Sequence, residues 1–152
     1  MSTVKESVEV EVPLHTAYNQ WTQFEEFPKF MEGVDEVVQL DERRSHWRTS
    51  IAGVSREFDT EIVDQLPDER VAWRTTEGEV KQKGVVTFQK LDDRHTRVNL
   101  AVDFTPEGVA EKAGDAMGMV DRRVKGDLRR FKDYIEQRGV EEGGWRGRIK
   151  PA

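Results

Sequence analysis

Cysteine is absent from these 152 residues, which excludes disulfides, thiolate metal sites and cysteine nucleophiles. Long hydrophobic runs are missing too. No stretch comes near the ~18 apolar residues of a membrane-spanning helix, so no integral membrane association is expected. The first residues, Met1-Ser2-Thr3-Val4-Lys5-Glu6, hold no apolar signal segment, and a cytoplasmic location is the expectation. Positive charge is in deficit, 24 Lys and Arg against 30 Asp and Glu, for a net charge of −6. That balance argues against a nucleic-acid partner recognised through a whole-protein positive field. Histidine is scarce: His15, His46 and His95 fall on three different elements with no metal-ligand spacing, so neither a metal nor a cofactor is expected. Only 36% of the chain is hydrophobic, so its core must come from patterning rather than bulk. The length suits one domain with a sizeable interior.

What is present is an ordered series of elements. Residues 4–12 alternate, with Val4, Val8, Val10 and Val12 on one face and Lys5, Ser7, Glu9 and Glu11 on the other, which predicts a half-buried strand ended by Pro13. Ala17, Tyr18, Trp21 and Phe24 share a helical face, and Phe27, Phe30 and Met31 continue the apolar surface past Pro28. Gly33 then opens six more strands, predicted at 34–41, 45–52, 55–64, 70–76, 80–91 and 95–104. They are punctuated by Asp41–Arg44, Ala52-Gly53, Pro67-Asp68-Glu69, Gly78 and Asp92-Asp93, turns short enough to make neighbours antiparallel.

A single long helix follows, predicted from Thr105 to Arg138. Val109, Ala113, Met117, Val120, Val124, Leu128, Phe131 and Ile135 recur at spacings of three and four. Thr105, Pro106 and Glu107 suit its start, and Arg138 with Gly139 its end. Such a stripe is buried only by lying across the concave face of the sheet. Gly114 and Gly118 lie one turn apart and strip side chains from one face, although a helical glycine costs about 0.5–1 kcal/mol. They provide either room for a ligand or close approach to Trp47 or Trp73. Residues 140–152 carry three glycines, a proline and little apolar content, which reads as a flexible tail after a domain spanning 1–139.

The run Tyr18-Asn19-Gln20-Trp21-Thr22-Gln23-Phe24-Glu25-Glu26-Phe27-Pro28-Lys29-Phe30-Met31 resembles the opening helices of bacterial polyketide cyclase/dehydrase-like proteins of the START-related, Bet v 1-like (SRPBCC) superfamily. Pro67–Arg74 resembles that group's central hairpin, and Gly84-Val85-Val86-Thr87-Phe88 its sixth strand. The resemblance covers roughly residues 3–138. It implies an α+β helix-grip fold: a seven-stranded curved antiparallel sheet wrapped around a long C-terminal helix, with two short helices between strands 1 and 2. It also implies a hydrophobic small-molecule pocket, since relatives include aromatase/cyclases, quinone-binding proteins and lipid carriers.

Strand parity supplies the wall of that pocket. Trp47, Thr49 and Ile51 share one side of the third strand, Phe58, Thr60 and Ile62 of the fourth, and Val71, Trp73 and Thr75 of the fifth. Gly84, Val86 and Phe88 do so in the sixth, and Val98, Leu100, Val102 and Phe104 in the seventh. The candidate ligand-binding residues are therefore Trp47, Thr49, Thr60, Trp73, Thr75, Phe88 and Leu100, with Met117 and Val120 from the helix. No catalytic residue is assigned. Glu36 shares parity with Val34, Val38 and Leu40 and is the best inward-facing carboxylate, while His46 and Arg48 read as solvated side chains. Three functions stay open: a carrier or sensor of a polyketide, lipid or quinone type of molecule, a polyketide aromatase/cyclase or dehydrase, and an interaction module. The last would dock through the basic helix face around Arg122 and Arg129 and the tail Trp145–Lys150. Oligomeric state is not legible.

Overall fold

The alternating start of the chain forms an edge strand, and every later strand pairs antiparallel with its neighbour. The computed structural model describes residues 2–51, 53–78, 80–104 and 113–151. Its elements are β1 (Ser2–Val10), α1 (Leu14–Trp21), a 3-10 helix (Phe24–Lys29), β2 (Val34–Gln39), β3 (Arg44–Ile51), β4 (Val54–Leu66), β5 (Arg70–Gly78), β6 (Gln82–Asp92), β7 (His95–Phe104) and α2 (Ala113–Arg138). The strands form one seven-stranded sheet in the order β1-β7-β6-β5-β4-β3-β2, curled around the closing helix. This is the expected helix-grip arrangement. Val109 and the proposed helix start at Thr105-Pro106-Glu107 lie outside the described residues.

Local chemistry sets the element ends. β1 stops at Val10, two residues earlier than its alternation suggested. The chain turns there, although Val12 stays buried and its carbonyl accepts a hydrogen bond from the Thr96 hydroxyl at 2.9 Å. Asp68 holds a left-handed backbone (φ 63°) between β4 and β5, a conformation aspartate tolerates in tight turns. Gly139 (φ 74°) donates to the Ile135 carbonyl at 2.8 Å and ends α2 as its position predicted.

Irregular pairing bends the sheet. The register shifts between Val34 and Glu36 in β2, and between Asp59 and Thr60 and between Ile62 and Asp64 in β4, and such bulges increase local twist and curvature. Inside the curl, the C-terminal part of α2 packs solidly: Val124, Leu128, Phe131 and Ile135 are all buried. Edge-on and tilted aromatic contacts from the two short helices complete this half of the core. Trp21 meets Phe131 at 5.0 Å, Phe30 meets Phe131 at 5.3 Å, and Tyr18 meets Phe88 at 5.4 Å between ring centroids.

The tail expectation is overturned. Residues 140–151 return across α1 and the far end of β4. Ile149 is buried and exchanges two backbone hydrogen bonds with Gln65, at 2.8 and 3.0 Å. Glu142 receives hydrogen bonds from Gln20, Lys29 and Tyr134, and Trp145 packs against the core. Composition suggested disorder, but Gly143 and Gly144 serve close approach: an added Cβ would come within 2.9 Å of the Gln23 side chain and 2.7 Å of Asn19.

Candidate ligand-binding site

Where α2 leaves its aromatic packing, the interior opens into a cavity of about 440 Å³ between helix and sheet. Its floor is the inward face of β3 and β4, and Trp73, Leu100, Val102 and Phe104 extend it across β5 and β7. Trp21, Phe24, Phe27 and Met31 close one side, and Met119, Val120, Val124 and Asp127 of α2 form the roof. At Gly118 an added Cβ would meet, among the described residues, only the Arg122 guanidinium at 3.6 Å. Its missing side chain therefore borders space rather than a bulky sheet residue. The close approach belongs to Gly84, over which the Trp73 indole lies too near to leave room for a Cβ.

The β3–β4 ladder presents its inward residues as successive cross-strand pairs: Ser45 with Thr60, Trp47 with Phe58, and Thr49 with Arg56. Trp47 is held firmly. Its indole nitrogen donates to the Thr60 hydroxyl at 2.9 Å, and its ring stacks on Phe58 with centroids 5.9 Å apart and planes 11° from parallel. A wall fixed in this way needs little reordering on ligand entry, which keeps binding cost low.

Of the candidates from strand and helix parity, Trp47, Thr49, Thr60, Trp73, Leu100 and Val120 are brought together around the cavity. Thr75 and Phe88 are not among them. The Thr75 hydroxyl instead accepts a hydrogen bond from the Gln82 amide at 3.1 Å beside the β5–β6 turn, although Thr75 pairs directly with Thr60 across the β4–β5 ladder. Phe88 lies farther along β6, buried against Tyr18 and Trp21 in the solid half of the core. The Met117 side chain lies outside the described residues. The lining from the short helices was not foreseen, although the Trp21–Phe24–Phe27 spacing marked an apolar face that had to cover something.

One acidic residue of the roof is unexpected. Asp127, in a stretch of α2 where Lys125, Arg129 and Arg130 are also charged, is only 9% exposed. Burial pushes its carboxyl up to about 6, although Arg130, Arg123 and the Glu32 amide pull the other way. Arg130 donates to it at 2.6 Å and to the Phe30 carbonyl at 2.8 Å, while Arg123 donates to the Glu32 carbonyl at 3.1 Å. These arginines tie α2 to the chain after the 3-10 helix, across the top of the cavity. Glu36, by contrast, does not face inward. The β2 bulge reverses parity after Val34, so Val37 is buried and Glu36 is exposed beside Arg48 at 3.5 Å. His46 faces outward between Asp59 (2.5 Å) and Glu57 (3.1 Å), whose hydrogen bonds raise its pKa. In the tail, Arg146 pairs with Asp68 and Arg148 with Asp64, each at 2.8 Å, so much of its positive charge is used within the molecule.

Comparison with known proteins agrees with this geometry. The family model described as polyketide cyclase / dehydrase and lipid transport matches residues 10–133. An uncharacterized 17.2 kDa protein from the melC2-rnhH intergenic region of Streptomyces lincolnensis is 60% identical over 149 residues, covering 98% of this chain and 99% of the relative. Among solved structures, the Zhui aromatase/cyclase of a Streptomyces species superposes with a TM-score of 0.77 at 19% identity, covering 95% of this chain and 99% of its own. A START superfamily protein from Mycobacterium smegmatis superposes with a TM-score of 0.69 at 16% identity, covering 90% and 95%. At these identities the structural likenesses establish the fold.

Proposed function

The chain belongs to the polyketide cyclase/dehydrase and lipid transport family, and from that premise we propose that it is a carrier or sensor of a hydrophobic or aromatic small molecule held beneath α2. The observation that carries this reading is the cavity itself. About 440 Å³, lined mainly by aromatic and aliphatic side chains with a few hydroxyls, falls in the range of small-molecule sites. The protein spends apolar surface on lining a hollow where one more large side chain would close it. Native mass spectrometry of the purified protein tests the reading, together with titration of N-phenyl-1-naphthylamine, a neutral dye that brightens in apolar surroundings. A co-purified small molecule, or saturable one-to-one dye binding, is the expected result. A bare mass with no dye binding would overturn it.

Asp127 favours a second reading, ring closure or dehydration of a poly-β-keto chain. A cavity-lining carboxyl pushed up to about 6 lies close to the value that suits general acid–base catalysis near neutrality. It could remove a proton from a carbon between two carbonyls, with Arg123 near enough to favour the resulting negative charge. Formation of an aromatic chromophore from a linear poly-β-keto thioester, lost in Asp127→Asn, is the test. No chromophore with the wild-type protein removes this reading and leaves the carrier.

A further inference from the structure

We propose that the cavity selects a flat ligand with a hydroxyl or carbonyl oxygen at each end, Thr49 binding one oxygen and Ser45 the other, while the apolar middle lies along the Trp47–Phe58 pair. This rests on the ligand-binding reading above and adds the two residues that discriminate among ligands and the shape they require.

The first observation is a hydroxyl without a partner. Thr49 is 5% exposed and lines the cavity, yet its Oγ1 meets no hydrogen-bonding group and is closed to water. A buried polar atom left unpaired destabilises the fold, and valine would fill the same volume without that cost. A turn of about 120° around Cα–Cβ carries the hydroxyl to another staggered position, and the free space beside this side chain is the cavity. Arg56, across the ladder from Thr49, already has a partner and adds nothing to this end.

The second observation is a matching hydroxyl farther along the same strand. Ser45 is also 5% exposed and lines the cavity, and among the described residues its side chain makes no hydrogen bond. Thr60, its cross-strand partner, shows the ordinary situation, its hydroxyl already accepting from Trp47. Two inward hydroxyls that the protein does not use are therefore available to ligand atoms. A hydroxyl both donates and accepts, so its natural counterpart is a neutral hydroxyl or carbonyl oxygen.

The third observation is order along the wall. On the β3–β4 ladder, Ser45 and Thr49 stand one step to either side of Trp47, whose ring is stacked on Phe58. Residues on one face of a strand recur about 6.8 Å apart, so the two hydroxyl-bearing positions are separated by roughly 13 Å. A rigid ligand with oxygens roughly 10 Å apart leaves room for a hydrogen bond at each end. Its middle then contacts aromatic rings rather than polar groups, the usual division in a small-molecule site.

The test displaces N-phenyl-1-naphthylamine with biphenyl, 4-hydroxybiphenyl and 4,4′-dihydroxybiphenyl. This rigid series ends in a diol of roughly the required span, and its phenols, with pKa values of about 10, stay neutral near pH 7. Wild-type protein is compared with Ser45→Ala, Thr49→Val and the double variant. Each single substitution should weaken the diol about fivefold, the scale of one neutral hydrogen bond, and the double variant about 25-fold. The monohydroxy ligand can turn end for end, so either single substitution should cost it about twofold and the double variant about fivefold. Affinities for biphenyl and the dye should stay within about twofold throughout, and Thr49→Val should unfold no earlier than wild type. If the diol loses no more than biphenyl does, or a single substitution weakens the mono- and dihydroxy ligands equally, the two-ended site is refuted while the cavity stands. If neither the dye nor biphenyl binds the wild type, the ligand-binding reading fails and takes this proposal with it.

Discussion

Replacing Asp127 with asparagine should make the protein's stability less sensitive to pH, in a window fixed by the burial of that carboxyl. In the folded protein its pKa moves from an ordinary 3.8 to about 6, chiefly through desolvation. A folded-state value above the unfolded one means that folding takes up a proton between them. The cost of burying the charge is therefore absent below about pH 4, grows as the pH rises, and is complete above about pH 6. Moving a carboxyl from 3.8 to about 6 corresponds to roughly 3 kcal/mol. Asparagine keeps an oxygen for Arg130 and carries no charge at any pH. Arg130, Arg123 and the exposed Glu32 side chain, the other charged groups facing this position, are common to both proteins. The melting temperature of Asp127→Asn minus that of wild type should thus rise by about 6–12 °C between pH 4 and pH 7.5. Differential scanning calorimetry in matched buffers measures it. A difference that stays flat, or falls with pH, would refute both the burial of the charge and its assignment as a near-neutral acid.

Two further substitutions probe the frame around the cavity. Gly84→Ala places a methyl group against the Trp73 ring and 2.8 Å from the Ala101 carbonyl, so it should cost about 2 kcal/mol, lower the melting temperature by ~4–8 °C and weaken dye binding; unchanged stability and affinity would mean that Trp73 does not lie over β6. Ile149→Asp puts a charge where the returning tail is buried, which should ease local opening by about 2–3 kcal/mol and speed tryptic cleavage after Arg146 and Arg148 by roughly 30- to 150-fold; a wild-type tail cut just as fast would restore the flexible-tail expectation.

The frame of the protein was legible because each of its signals is local. Strand alternation, the Pro67-Asp68-Glu69 turn and the three-and-four spacing of Val120, Val124, Leu128, Phe131 and Ile135 depend only on neighbours in sequence, and all reappear in the fold. The site was legible in part. Parity placed Trp47, Thr49, Thr60, Trp73 and Leu100 around the cavity, and the β3–β4 ladder that carries Trp47, Thr49 and Thr60 pairs without a register shift. It failed for Glu36, where a bulge reverses the face, and for Thr75 and Phe88, where the question was how far along a strand the hollow extends. That extent is set by which aromatic rings of α1 and the 3-10 helix fill the other half, a matter of long-range packing. Asp127 was hidden for a similar reason. Its neighbours in sequence are charged, and only the chain crossing at Phe30–Glu32 buries it. The tail misled through composition: glycines that suggest disorder in isolation here allow contact with Asn19 and Gln23.

The indole N–H signals of the four tryptophans offer a direct test of the cavity. Trp21, Trp47 and Trp73 line it, whereas Trp145, in the returning tail, packs against the core away from it. In a proton–nitrogen correlation spectrum, saturating amounts of N-phenyl-1-naphthylamine should shift the three cavity indoles and leave Trp145 in place. A ligand that moves Trp145 alone, or shifts none of the four while remaining bound, would contradict a binding site between the sheet and α2.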